Sequence, residues 1–305
     1  MRLSSIFLSL AAGGLCLAQE ARLTGPVSGL VYDEQTRSIR AILGVPGASH
    51  LGAPLIEHLE FARVAPSGDR AVAVRAGRLH LVKFGADVEW QVLDAEYAGA
   101  SRAAWSADSK SFAVFGTEEG LSLYRDGALS SIGHPAEISA LLVGDQVFYA
   151  SKDGVYIVQD GEARLLATVE NASALALDGT TLYAASRSRN EILAIRNFLD
   201  SPELALFTSE VAAPAALAMD NGSLLAASAE TRALYRLNTS AEVLATIVLD
   251  FTPDSLDLFS RANGTALYSL RTRASQSDPL QVFDTARASA FFVPAAAELS
   301  AKVEE

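Results

Sequence analysis

The feature that most constrains the fold of this sequence is a repeat of about 40 residues that runs through most of the chain. Short groups of small and apolar residues recur at gaps of 41, 37, 34, 42 and 40 residues, counted between Ala62, Ala103, Ala140, Ala174, Ala216 and Leu256. Each group is followed by a turn rich in Gly, Asp, Ser or Asn and then by further strand-like runs. A fixed period of this length indicates an array of similar structural units.

The turns between the runs predict how each unit folds. Pairs such as Asp126-Gly127 and Asp160-Gly161 separate apolar runs, and an Asp-Gly pair in this position is a strong hairpin signal because the turn requires positive φ. No stretch keeps helical apolar spacing beyond the next turn. Each unit is therefore predicted to contain four short antiparallel strands, which is the composition and period of a β-propeller blade.

The recurring small residues fit the innermost strand of each blade, where neighbouring blades converge and leave little room for a large side chain. Six complete units run from about Leu59 to Val293, and two strand-like runs at 29–33 and 38–43 precede them. Those two runs are either a shortened seventh blade or strands that complete a blade begun by the C-terminus. We expect an all-β fold, a single β-propeller of four-stranded antiparallel blades, with seven blades favoured over six.

Three segments resemble known propeller families. Residues 65–74 (APSGDRAVAV) and 105–114 (WSADSKSFAV) resemble the inner hairpin of Tol-system and WD-like propellers, and residues 182–192 (LYAASRSRNEI) resemble blades of the NHL and YVTN families. The likeness extends over nearly the whole chain after residue 18, although the Trp-Asp dipeptide that ends WD blades is absent. It implies the propeller fold, with ligands bound at the mouth of the central channel, and it indicates no particular member.

The first eighteen residues have the pattern of a secretory signal peptide. A positive start at Arg2 is followed by an apolar run and by the small residue Ala18, and the run is too short for a membrane span of about 20 residues. Cleavage after Ala18 would remove Cys16, the only cysteine. Acylation of Cys16 is disfavoured because Leu15 occupies a position where lipoproteins carry a small residue. We expect an exported bacterial protein, periplasmic or extracellular.

Composition excludes further classes. The chain has 36 acidic and 24 basic residues and a formal net charge of −12, which disfavours nucleic-acid binding because that binding depends on Lys and Arg contacts to phosphates.

We expect no membrane span in the mature chain, and a monomer. The predicted organisation is a signal peptide at 1–18, a β-propeller at 19–294 and a charged, Ala-rich C-terminal tail at 295–305.

No recognisable catalytic motif is present. The sequence lacks a GxSxG elbow, Walker and dinucleotide glycine patterns and DxDxDG calcium loops, and its four histidines do not have metal-ligand spacing. We therefore predict no catalytic residue and no cofactor. The leading hypothesis is a non-catalytic exported propeller that binds a protein or glycan partner through one face.

Candidate site residues follow from the repeat register. Ser101 and Arg102 lie at the start of an innermost strand, which is expected at the channel mouth, and His50 lies in a segment dense in Gly and Pro, so these three are the binding candidates. The alternative is a metal-dependent lactonase or hydrolase. It would be an enzyme of the gluconolactonase-like propeller class, which holds one divalent cation, such as Ca²⁺, in the channel. The repeat register gives Glu60, Asn171 and Asp254 as the candidate ligands.

Overall fold

The computed structural model describes residues 26–262, 265–270 and 280–294, without the side chains of residues 94, 95, 261 and 262. In these ranges the chain forms 27 strands and no helix, and consequently none that is long and apolar enough to span a membrane. The predicted signal peptide and the predicted tail lie outside the described residues.

The strands form seven antiparallel sheets, taken in chain order as blades 1 to 7. Blade 1 comprises β1 (Val27–Asp33), β2 (Ser38–Val45) and β3 (Ala48–Ile56). Blade 2 comprises β4 (Phe61–Val64), β5 (Arg70–Arg75), β6 (Arg78–Phe84) and β7 (Val88–Glu96). Blade 3 comprises β8 (Ala100–Trp105), β9 (Phe112–Gly116), β10 (Gly120–Arg125) and β11 (Ala128–Gly133). Blade 4 comprises β12 (Ala140–Val143), β13 (Val147–Ala150), β14 (Val155–Gln159) and β15 (Glu162–Ala167).

Blade 5 comprises β16 (Ala172–Asp178), β17 (Thr181–Ser186), β18 (Glu191–Arg196) and β19 (Glu203–Thr208). Blade 6 comprises β20 (Pro214–Asp220), β21 (Ser223–Ser228), β22 (Ala233–Leu237) and β23 (Val243–Val248). Blade 7 comprises β24 (Asp257–Ala262), β25 (Thr265–Ser269), β26 (Leu280–Asp284) and β27 (Ser289–Val293). In each sheet every strand pairs with the next one along the chain.

These sheets form a closed ring, which confirms the predicted seven-bladed β-propeller. The innermost strands of blades 2 to 6 contact one another in order, and blades 6 and 7 share a hydrophobic cluster. β1 contacts both β4 and β24, which brings the last blade against the first. The core lies between blades: Phe148 of blade 4 packs with Leu182 of blade 5, and Val72 of blade 2 packs with Phe112 of blade 3. Burying both faces of every blade between neighbours explains why half of the residues are hydrophobic.

The innermost strands of blades 2 to 7 all begin at the same face of the ring, which we call the entry face. The turn between the second and third strands of a blade also lies at this face. For example, the backbone N–H of Tyr97, which leads into β8, donates to the carbonyl of Gly77 in the β5–β6 turn (2.9 Å). The turns after the first and third strands therefore lie at the opposite face.

Blade 1 differs from the other six blades in the identity of its strands. Only four residues connect β3 to β4, residues 57–60, so β3 ends at the entry face. The N–H of Leu59 in this link donates to the carbonyl of Arg37 in the β1–β2 turn (2.9 Å), so that turn also lies at the entry face. The three strands of blade 1 therefore correspond to the second, third and fourth strands of the other blades, and β1 runs antiparallel to the six innermost strands.

The seam between blades 7 and 1 is closely packed. Val31 and Leu51 of blade 1 are buried against Phe259 and Val293 of blade 7. Gly29 is required at the contact, because a Cβ there would lie 2.8 Å from Cδ2 of Phe259. This close approach of β1 to β24 closes the ring within the described residues.

Candidate binding site at the channel mouth

The central channel contains a cavity of about 300 Å³ that all seven blades line. The lining from blades 4, 5 and 6 consists only of Ser, Ala and Leu residues: Ser139, Ala140, Leu141, Ser173, Ala174, Leu175, Ala215, Ala216 and Leu217. The charged lining residues all come from blades 7, 1, 2 and 3 and from the links that lead into them: Asp33, Glu34, Arg63, Arg102, Asp254 and Asp257. One half of the channel is therefore charged and the other half is neutral.

An ion pair between Arg63 and Asp257 dominates the charged half. Nη1 of Arg63 donates to Oδ2 of Asp257 at 2.7 Å, and Nη2 contacts Oδ1 of the same carboxylate. This two-point geometry is the strong form of an Arg–carboxylate interaction. Burial alone would lower the pKa of Arg63, but the charge of Asp257 and the hydrogen bond to it outweigh burial and raise that pKa. Arg63 therefore remains a cation in the channel.

Arg102 supplies a second cation next to this pair. Its Nε donates to the carbonyl of Ile138 in the link into blade 4 at 2.6 Å, which holds the guanidinium between two blades. Burial lowers the pKa of Arg102, the charge of Asp257 opposes that change, and the charge of Arg63 adds to it. No carboxylate of the described residues lies within ion-pair distance of Arg102.

In the neutral half of the channel, two serines also donate to backbone carbonyls of the next blade, as Arg102 does. The hydroxyl of Ser139 donates to the carbonyl of Ala172 in the next blade at 2.5 Å, and that of Ser173 donates to the carbonyl of Pro214 at 2.8 Å. Each serine thus satisfies a carbonyl at the start of the neighbouring innermost strand. The repeat register identifies both positions as small residues, and their role as inter-blade donors becomes visible only in the assembled ring.

The structure brings three of the six predicted site residues to the channel. Ser101, Arg102 and Asp254 line the cavity, whereas Glu60, Asn171 and His50 do not. Of the three candidate metal ligands, only Asp254 lines the cavity. Glu60 and Asn171 lie outside it, so the three do not surround one site in the channel. Among the described residues no group of three His, Cys, Asp or Glu side chains could hold a metal ion. The metal alternative stays a prediction.

The three residues away from the lining have local roles. The carboxylate of Glu60 accepts the N–H of Gly77 at 2.9 Å, and Asn171 lies in the link before β16 with a φ of 49°, a conformation that asparagine tolerates better than most residues. His50 is exposed on β3, the outermost strand of blade 1. Sequence reasoning did not single out Arg63, although an arginine inside a short innermost strand was an available signal.

Comparisons with known proteins identify the fold class. No protein-family model and no curated protein matches this sequence. A catalytically inactive variant of virginiamycin B lyase from Staphylococcus aureus, solved with quinupristin, superposes with a TM-score of 0.57 at 12% identity, covering 78% of this chain and 84% of that one. The chain therefore has the fold of the β-propellers.

Two further solved structures have a similar fold. The WD40 β-propeller domain of Doa1 has a TM-score of 0.53 at 15% identity, covering 78% of this chain and 83% of that one. A chain of the nidogen/laminin complex has a TM-score of 0.53 at 14% identity, covering 74% of this chain and 93% of that one. At these identities the likeness concerns the fold alone.

Proposed function

We propose that this protein is an exported, non-catalytic β-propeller that binds a protein or glycan partner through its entry face. The observation that carries the proposal is the gathering of charged side chains on one half of the channel, opposite a neutral half. A few placed polar groups in a concave, otherwise apolar setting fix the orientation of a bound group. Charge at such a surface also selects partners of complementary charge.

The charged groups remain accessible to a partner. The side chains of Arg63 and Asp257 are 34% and 26% exposed, and Arg102 is exposed within the channel. A chain of similar fold belongs to the solved complex of nidogen with laminin, which supports a protein as one class of partner. A glycan would use the same hydrogen-bonding groups, and glycan binding is the second form of the proposal.

Export is the other half of the proposal and rests on the leader at residues 1–18. Mass spectrometry of the protein isolated from its producing cells tests it. The expected mature chain begins at Gln19 and is recovered from the periplasm or the medium. An intact N-terminus on a cytoplasmic protein would overturn this part without affecting the binding proposal.

Site-specific photo-crosslinking tests the binding proposal. A photoreactive residue is placed either at Glu118, in the β9–β10 turn at the entry face, or at Lys110, in the β8–β9 turn at the opposite face. Both positions are exposed and belong to blade 3. Crosslinking in the producing cells is expected to give one discrete adduct from Glu118 and none from Lys110. An adduct from Lys110 alone, or none from either position, would contradict the proposal.

An enzyme of the lactonase or hydrolase type is the competing function. It is distinguished by assaying the purified protein against lactones and esters, with and without Ca²⁺. A turnover that Asp254→Asn abolishes would overturn the non-catalytic proposal, because Asp254 is the one candidate metal ligand among the three that lines the channel.

A further inference from the structure

The outer end of the Arg102 guanidinium is a feature of the channel that no other described residue uses. Its Nε is fixed by the carbonyl of Ile138 at 2.6 Å. Its Nη1 and Nη2 have no hydrogen-bond or ion-pair partner in the described part of the chain. A guanidinium held at one nitrogen presents its remaining N–H donors in a fixed plane. Arg102 therefore has donors in place for one more acceptor.

The described carboxylates of the channel leave this cation without a counter-charge in contact. Asp257 is engaged at two points by Arg63. Glu137, whose charge also acts on Arg102, and the other lining carboxylates lie beyond ion-pair distance of it: Asp33, Glu34 and Asp254. Burial is the largest influence on the pKa of Arg102 and lowers it, because the surroundings solvate the charge less well than water does. An anion in contact with the guanidinium would offset that cost.

The neutral half of the channel narrows the kind of anion that fits. Its wall contains Ala and Leu side chains such as Ala140, Ala174 and Leu175, and the hydroxyls of Ser139 and Ser173 are already engaged with backbone carbonyls. The cavity of about 300 Å³ lies at the lower end of the range for ligand sites. These features favour one aliphatic acid over sugar rings, because each buried sugar hydroxyl needs a hydrogen-bond partner of its own.

We propose that the channel binds an aliphatic carboxylate of a protein partner, which is either an Asp or Glu side chain or the C-terminal carboxylate. The carboxylate contacts Nη1 and Nη2 of Arg102 as a two-point pair, and the carbon atoms next to it pack against the neutral half. Charge-assisted pairs of this kind are the strong form of a hydrogen bond, and a single anchor in a well-packed pocket carries much of the binding energy of an interface. The inference rests on the proposed function and names the chemical group that the entry face recognises.

Titration with blocked amino acids tests the preference for an acid without knowledge of the partner. Nuclear magnetic resonance follows the Nε–H signal of Arg102 in the full-length protein, assigned by its loss in Arg102→Lys. The probes are N-acetylglutamate α-methylamide for a side chain, N-acetylleucine for a C-terminus, N-acetylglutamine methylamide as the neutral isostere and glucuronate for an acidic glycan. We expect a saturable shift with at least one of the two acids, with a Kd of about 1–10 mM, and none with the glutamine probe.

The acid that binds more tightly identifies the source of the carboxylate. No saturable shift with either acid, or an equal shift with the glutamine probe, would overturn the proposal. Tighter binding of glucuronate than of both acids would overturn it in favour of a glycan.

Two arginine variants supply a matched comparison. Arg102→Gln is expected to weaken binding of the acid by about tenfold or more, measured at the backbone amide of Ala103, which also lines the cavity. Arg187→Gln removes an exposed arginine from the β17–β18 turn at the same face and should keep the Kd of the wild type. Equal Kd values in the two variants would contradict the proposal.

The crosslinking experiment separates this inference from the proposed function. If neither acid binds while the Glu118 position still gives an adduct, the inference fails and the proposed function stands. If an acid binds while neither crosslinking position gives an adduct, the proposed function fails and the acid site remains.

Discussion

Arg63 of blade 2 and Asp257 of blade 7 form a two-point ion pair across the inner side of blade 1, joining positions 194 residues apart in the sequence. The pair links the two blades that flank the ring's closing seam. The pair also lies in the charged half of the channel. Its contribution to stability can therefore be tested apart from the binding of a partner.

Asp257→Asn is expected to destabilise the fold by about 1–2 kcal/mol, because it leaves the Arg63 cation without its carboxylate in a partly desolvated channel. Partial exposure of both side chains keeps the effect below that of a fully buried pair. Urea unfolding of the purified protein measures the change. The control is Arg189→Gln, which removes an ion pair with Glu191 whose arginine is 58% exposed. If both variants shift the midpoint equally, the pair has no special role in holding the seam.

The serine contacts between blades give a second prediction. Ser173→Ala would leave the carbonyl of Pro214 without its donor and is expected to cost about 1 kcal/mol. The matched control, Ser130→Ala, removes an exposed hydroxyl that reaches Leu123 within its own blade at 3.3 Å. Chemical unfolding should separate the two variants, and identical midpoints would argue against an inter-blade role for Ser173.

The seam between blades 7 and 1 gives a third prediction. Gly29→Ala would bring a methyl group to 2.8 Å from the Phe259 ring, and this crowding is expected to cost about 1–3 kcal/mol. Gly85→Ala is the control, because its nearest contact would be 3.7 Å from Asp87. A Gly29→Ala protein as stable as the control would mean that the seam is looser than described.

A pH dependence follows from His80, which lies on β6 with its ring edge-on to Trp90 at 5.3 Å between centroids. Burial lowers the pKa of His80 below its usual 6.5, a backbone hydrogen bond involving Arg75 opposes this, and the charges of Arg75 and Arg78 reinforce it. The unfolded chain then binds a proton more readily than the folded one, so stability is complete above about pH 6.5 and declines below it.

Thermal unfolding at pH 7.5 and 5.5 tests this sign. The wild type is expected to lose more stability on acidification than His80→Gln, while His50→Gln, which changes an exposed side chain, should behave as the wild type does. An identical loss in the wild type and His80→Gln would show that other groups set the acid response.

The sequence allowed the fold to be predicted because its information is local. Turn residues such as Asp126-Gly127 predict each hairpin. Small residues recur in the innermost strands because the same steric constraint acts on every blade. Six complete units and their antiparallel order follow from these signals, and the two strand-like runs before them favoured a seventh blade. The strand identities in blade 1 do not, because they depend on where β3 ends relative to β4.

The site was less predictable because it depends on the register between blades. In blade 7 the register irregularity falls at Phe259, whereas the corresponding irregularity in blade 5 falls at Ser173. The repeat position that pairs Leu256 with Ala174 therefore does not carry over to the strand register of blade 7. Contacts across the channel, such as that of Arg63 with Asp257, join residues with no local relationship, and no repeat pattern encodes them.

The most direct test of the account is the affinity of the partner captured at Glu118 for variants of the channel mouth. Calorimetry should give at least a tenfold weaker Kd for Arg102→Gln, because this removes a cation that has no carboxylate partner in the described part of the chain. Lys110→Gln, at the opposite face, should bind as the wild type does. Unchanged affinity in Arg102→Gln, or an equal loss in Lys110→Gln, would contradict the claim that the entry face binds the partner.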